Sequence, residues 1–207
     1  MQVTGIFSTP ILETTLDNVG SNVLEYVRNL PFESTNDGCC EYSVSKKIHN
    51  DPFFMDLFDD IKKVADIYAR EVLGLDLTDP NFVMDLKTAW AIKMKPGDFA
   101  GSHYHAQSIF TGLLYLSVDK NGSSKLNLHR PEQPPPTIEL LINNWNLFNC
   151  KAYDVIPETN KLIFFPSNIN HSADINESNE TLYCLVFDFF PRGVLRKNTT
   201  SELILNW

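Results

Sequence analysis

The sequence predicts a mainly β fold with N-terminal helices (α+β), and three observations carry that reading. Apolar residues recur at helical spacing as far as Leu73, the texture then changes after Pro80 to short β-branched and aromatic segments, and tight turns at Pro96-Gly97 and Asn121-Gly122 divide those segments. A chain of 207 residues, 43% hydrophobic and 21% charged, is long enough for one buried core and has the balance of an ordinary globular domain.

The first helix is expected from Asp17 to Leu30, with Val19, Val23, Leu24, Val27 and Leu30 on one stripe and Pro31 as its stop. The second is expected over residues 51–73: Asn50 or Asp51 caps it, Pro52 sits in its first turn, and Gly74 closes it. Its apolar positions, from Phe54 through Leu57, Phe58, Ile61, Val64 and Ala65 to Tyr68, repeat at three and four residues. Both helices are expected to pack on the outside of a sheet. Strands follow near 84–95, 108–118, 124–130, 137–143, 152–156, 161–165 and 181–190, and Pro131–Pro136 reads as a stiff loop. Seven or eight short strands after a helical prelude suggest a double-stranded β-helix, a cupin-like jelly roll. Residues 1–80 then form a helical support, 81–190 the β core and 191–207 a tail, all within one domain.

A formal net charge of -9 with no offsetting basic patch argues against nucleic acid or an anionic membrane as the main partner. No apolar run approaches the ~18 residues a membrane span needs. The N-terminus lacks the charged and apolar regions of an export signal, so a cytoplasmic location with reduced cysteines is expected. Cys39 and Cys40 are adjacent, Cys150 and Cys184 stand alone, and no C-x-x-C pair suggests zinc. The oligomeric state stays open, a homodimer included.

The chemistry lies in the histidines. His103 and His105 precede a strongly apolar strand, and on a strand residues two apart face the same side, so both imidazoles can meet one ion. His171 follows a buried strand that ends at Pro166, delivered by a turn. An H-x-H pair plus a distant histidine makes a facial triad of metal ligands with open positions opposite. An isolated histidine is far more often structural than a ligand, which is how His49 and His129 read, although His129 is placed to line a pocket.

The segment from His103 through Tyr-His-Ala-Gln-Ser-Ile-Phe-Thr-Gly-Leu-Leu-Tyr to Leu116 resembles the H-x-H-P-x-S…S-G-x-Y-Y-L signature of small 2-oxoglutarate–Fe(II) oxygenases, often encoded by phages and bacteria. Lys161-Leu-Ile-Phe-Phe-Pro-Ser-Asn-Ile-Asn-His-Ser172 resembles the L-x-x-F-P-S…H-S segment of that family, and Trp90 with Lys95-Pro-Gly97 sits where it has a tryptophan strand and a turn. The likeness spans residues 84–190. It implies a non-haem Fe(II), 2-oxoglutarate-dependent dioxygenase that uses O2 to hydroxylate a protein side chain or a small metabolite. It also implies His103 and His171 as metal ligands. His105 stands where a carboxylate is commoner, with Gln107 as a weaker alternative, and Tyr115 matches a tyrosine placed to donate to 2-oxoglutarate.

One element of the pattern is missing. The family's arginine on the final strand, which clamps the distal carboxylate, is replaced at Thr181 or Leu182; Lys125, Arg130 or Lys93 are the cations left to fill its role. The same residues fit a cupin template, Gly97 with five residues between it and His103-x-His105, and Pro166-x-Asn-x-x-His171, which would make a three-histidine dioxygenase without 2-oxoglutarate. A non-catalytic β-sandwich or virion-associated module is the third reading. Loops at 130–137 and 143–150 are candidate lids, the latter carrying Trp145 and Phe148.

Overall fold

The computed structural model describes residues 8–17, 19–34, 39–131, 138 and 141–207. Helix α1 covers Ser21–Arg28 and buries Val23 and Val27. It is shorter than the apolar stripe, because Gly20 is extended at its start and Asn29 ends it two residues before Pro31. The second expected helix is three joined pieces. A 3₁₀ turn over Pro52–Phe54 is capped by the Asp51 carboxylate, which accepts the Phe53 N–H. It leads into α2, Met55–Ile67, and then a π-helical turn over Tyr68–Val72, and Gly74 leaves with φ 66, a left-handed conformation that suits glycine.

Among the described residues twelve strands follow the chain: β1 Leu12–Thr15, β2 Phe32–Ser34, β3 Glu41–Ser43, β4 Phe82–Met94, β5 Ala100–His103, β6 Phe110–Ser117, β7 Leu126–His129, β8 Ala152–Val155, β9 Lys161–Pro166, β10 His171–Ala173, β11 Leu182–Leu195 and β12 Leu203–Leu205. They form two antiparallel sheets. The larger runs β1-β9-β6-β11-β4-β3-β2, with β12 joined to the far end of β11, and the smaller runs β5-β10-β7-β8. This is the mainly β, jelly-roll architecture expected.

Three boundaries differ from the sequence reading. The first third contributes β1, β2 and β3 to the large sheet as well as helices; strands of three or four residues are too short to show a period. The tail pairs back through β12 onto β11. Of the strand expected at 137–143, residues 138 and 141–143 are irregular, Leu141 is 99% exposed, and the remainder lies outside the described residues, as does most of the proline-rich loop. Both edges of β7 are already taken by β10 and β8, so no partner remains there.

The large sheet separates two cores. On its outer face Leu185, Phe187 and Phe189 of β11 join Phe110 of β6, Phe164 of β9 and the helical Phe58, Ile61 and Tyr68. On its inner face Cys184 and Val186 of β11, Leu113 and Tyr115 of β6 and Phe165 of β9 meet Leu126, Leu128 and Val155 of the small sheet. The period of two along each strand makes this division. Among the described residues, no helix is long and apolar enough to cross a membrane.

Candidate metal centre

Strands β5 and β10 are antiparallel neighbours, and their register sets His103 directly opposite His171. His103 is the last residue of β5. His105 lies beyond it and not on the strand, in a segment fastened by its own N–H to the Ser167 carbonyl at 3.0 Å. Convergence of the pair therefore comes from a strand end plus an anchored turn, where the sequence suggested two positions on one strand. The three histidines offer ligand atoms all within 4.8 Å of one another. Their ring centroids are 4.3 Å (103–171), 5.0 Å (105–171) and 5.4 Å (103–105) apart.

Each ring is held through Nδ1. His103 Nδ1 donates to the Gly101 carbonyl at 2.8 Å, and His171 Nδ1 donates to the Ile169 carbonyl at 2.9 Å. His105 Nδ1 donates to Asp188 Oδ1 at 2.7 Å. With the proton on Nδ1, the Nε2 of a neutral ring is left as an acceptor with its lone pair free. Burial pushes His103 below the ordinary histidine value and His171 down to about 3. Neutral imidazoles are what a metal requires. Burial is graded from exposed His103 through half-buried His105 to buried His171, which leaves the cluster open on one side.

The cleft beneath the cluster runs between the two sheets and is mostly apolar. Trp90 forms one wall, its ring 5.4 Å from that of His105, and its indole N–H is buried without a hydrogen-bond partner among the described residues. Deeper lies Tyr115, 3% exposed, whose phenol burial raises far above its ordinary value, so it remains an O–H donor. No lysine or arginine lines the cleft among the described residues. Leu182, one of the two positions matched to the missing arginine, lines the cleft. Lys93 faces away and pairs with Glu41 at 2.7 Å, Lys125 is exposed just before β7, and Arg130 donates to the Leu147 carbonyl at 3.1 Å. Gln107 is exposed, with φ 57, and Lys87 donates to its backbone oxygen at 2.8 Å; it stands apart from the cluster.

The other histidines take no part. His129 contacts Ser172 Oγ through Nε2 at 2.9 Å, and His49 lies on the helical side against Phe58. Trp145 and Phe148 are each 58% exposed. The residue the sequence reading missed is Asp188, the single charged side chain in the apolar run of β11. A carboxylate within such a run was the available signal, since a buried charge needs a partner.

A jelly roll whose open end gathers three imidazoles presents the donor set of a non-haem metal site. The family model described as "Putative 2OG-Fe(II) oxygenase" matches residues 88–188, from β4 to the aspartate on β11, and over that stretch, just under half of the chain, the sequence is similar to Fe(II)- and 2-oxoglutarate-dependent oxygenases. Solved structures share the fold. A Pseudomonas putida prolyl-4-hydroxylase aligns with TM-score 0.61 and 13% identity over 90% of this chain and 95% of its own. The epimerase SnoN, in complex with Fe3+, alpha ketoglutarate and nogalamycin RO, gives 0.63 and 11% over 96% and 90%. HygX from Streptomyces hygroscopicus, with nickel, 2-oxoglutarate and hygromycin B bound, gives 0.58 and 11% over 88% and 83%. Among proteins of curated function, none matches significantly by sequence.

Proposed function

We propose that His103, His105 and His171 hold the Fe(II) of this oxygenase through Nε2. The single observation that carries the assignment is the set of three ligand atoms within 4.8 Å, each ring tied by Nδ1 to an acceptor. The donor set fits a borderline divalent ion with positions open for co-substrate and O2. Fe(II), 2-oxoglutarate and O2 together supply the oxidising chemistry: the oxo acid becomes succinate and CO2, and a substrate C–H becomes C–OH.

The chain's own residues bind and exclude water. The apolar cleft keeps solvent from the reacting centre, and its two donors, the unpaired Trp90 Nε1–H and the Tyr115 hydroxyl, point to an oxyanion ligand. A buried donor left unmatched costs about 1–3 kcal/mol, which a carboxylate oxygen removes on binding. These two groups take the carboxylates of 2-oxoglutarate in place of an arginine. Lys125 and Arg130 lie outside the cleft, which narrows the expected co-substrate contacts to Tyr115 and Trp90. The substrate is a protein side chain or a small metabolite that enters past exposed His103.

Anaerobic Fe(II) loading followed by 2-oxoglutarate tests this reading, because chelation of the oxo acid produces a visible charge-transfer band. The band is expected in the native protein and absent in His103→Ala and His171→Ala. A band of full intensity in either variant would overturn the ligand assignment.

A further inference from the structure

Asp188 is the one buried carboxylate among the described residues, 8% exposed at the end of the inner face of β11. Its ion-pair partner is His105 alone, and no lysine or arginine reaches it among the described residues. Oδ1 accepts the His105 Nδ1 proton at 2.7 Å and the Thr111 hydroxyl at 2.7 Å, and Oδ2 accepts from Thr88 at 3.2 Å. Hydroxyls continue the network outward, Thr111 to Ser167 at 2.8 Å and Ser167 to Ser108 at 2.7 Å. A carboxylate held in this way is costly to bury unless a cation lies close. A divalent ion on Nε2 of His105 would be that cation, one imidazole ring away.

The contrast with the other two ligands is informative. His103 and His171 rest on backbone carbonyls, which orient a ring without adding charge. His105, the ligand that stands where a carboxylate is commoner, rests on a carboxylate. We propose that Asp188 is the positioning residue of the metal centre: it fixes the His105 tautomer and rotamer and returns, through the ring, the negative charge that a ligand carboxylate would have supplied. An anionic acceptor on Nδ1 makes Nε2 a stronger donor to the metal, and such partners outside the ligand shell set affinity and potential. The proposal rests on the three-histidine assignment and extends it to a fourth residue.

Cobalt(II) titration of the native protein, Asp188→Asn and His105→Ala tests it, together with the Fe(III)/Fe(II) midpoint of the first two. Asp188→Asn keeps the shape and an oxygen acceptor but removes the charge. It should weaken metal binding about tenfold to 100-fold and raise the midpoint, because the ferric form loses its compensating anion. Binding within twofold of native, with His105→Ala clearly impaired, would overturn the role of Asp188 and leave the metal site standing. An unmoved midpoint would overturn the charge role. No cobalt binding by the native protein would overturn both proposals. A readout needing no variant is proton magnetic resonance of the cobalt-loaded native protein. Three exchangeable, hyperfine-shifted Nδ1–H signals are expected, and two would overturn the arrangement at His105.

Discussion

The two faces of the same three strands make a direct comparison. On the outer face of β6, β9 and β11 lie Phe110, Phe164, Phe187 and Phe189, all at most 1% exposed. Their rings interlock, Phe110 stacked on Phe189 at 4.8 Å and Tyr68 edge-on to Phe110 at 5.2 Å, and the Tyr68 hydroxyl donates to the Pro10 carbonyl at 2.9 Å. Gly112 is part of this packing, because a Cβ there would lie 2.0 Å from the Phe187 ring and 2.6 Å from that of Phe164. The inner face, one residue out of phase, carries Thr111, Leu113, Tyr115, Cys184, Val186 and Asp188 around a cleft. One face packs ring against ring and closes. The other leaves donors and imidazole lone pairs unmatched and stays open, so rigidity on the first face holds the second ready for a ligand.

Substitutions on each face should separate stability from chemistry. The largest effect is expected from His171→Ala on the inner face, which should abolish succinate formation from 2-oxoglutarate; its melting temperature should move less than that of any outer-face aromatic variant. Phe187→Ala should cost about 3–5 kcal/mol in urea unfolding, from lost transfer energy and the cavity left behind. The fraction that stays folded should bind cobalt normally. Gly112→Ala overfills the same packing and should cost about 1–3 kcal/mol. A neutral result there would show that the rings have room to move, against the close approach described above.

Smaller effects sharpen the inner face. Trp90→Phe removes the unpaired N–H and keeps most of the ring. The 2-oxoglutarate dissociation constant should rise roughly tenfold, with cobalt affinity and melting temperature unchanged. Unchanged 2-oxoglutarate binding would remove Trp90 from the co-substrate contacts. The smallest effect concerns Glu41 on β3, held below its ordinary value of 4.5 by hydrogen bonds from Lys93 and then Lys95. Because the folded value is the lower one, the unfolded chain takes up protons first as pH falls. Stability from this cluster is therefore complete above about 4.5 and lost below it. Glu41→Gln should flatten that part of the acid-unfolding curve without altering turnover.

The three clustered histidines were legible in the sequence because the residue type is scarce and its local setting distinctive: His103 and His105 before an apolar strand, His171 after another that ends at Phe-Pro-Ser. The long strands β4, β6 and β11 and helix α2 were equally plain, since each is long enough to display a period. Strands β1, β2, β3, β5 and β10, of three or four residues each, carry no such signal.

The sequence by itself determined a mainly β chain with three histidines suited to one ion and a final strand without its expected arginine. Only the tertiary structure decided which charges meet them. Lys93, Lys125 and Arg130 were all candidates along the chain, yet all three stand outside the cleft, while Asp188, separated from His105 by 83 positions, is drawn into contact. The reason is the period of two along a strand. A shift of one residue in register moves a side chain to the opposite face, and register is fixed by pairing across the sheet rather than by local sequence.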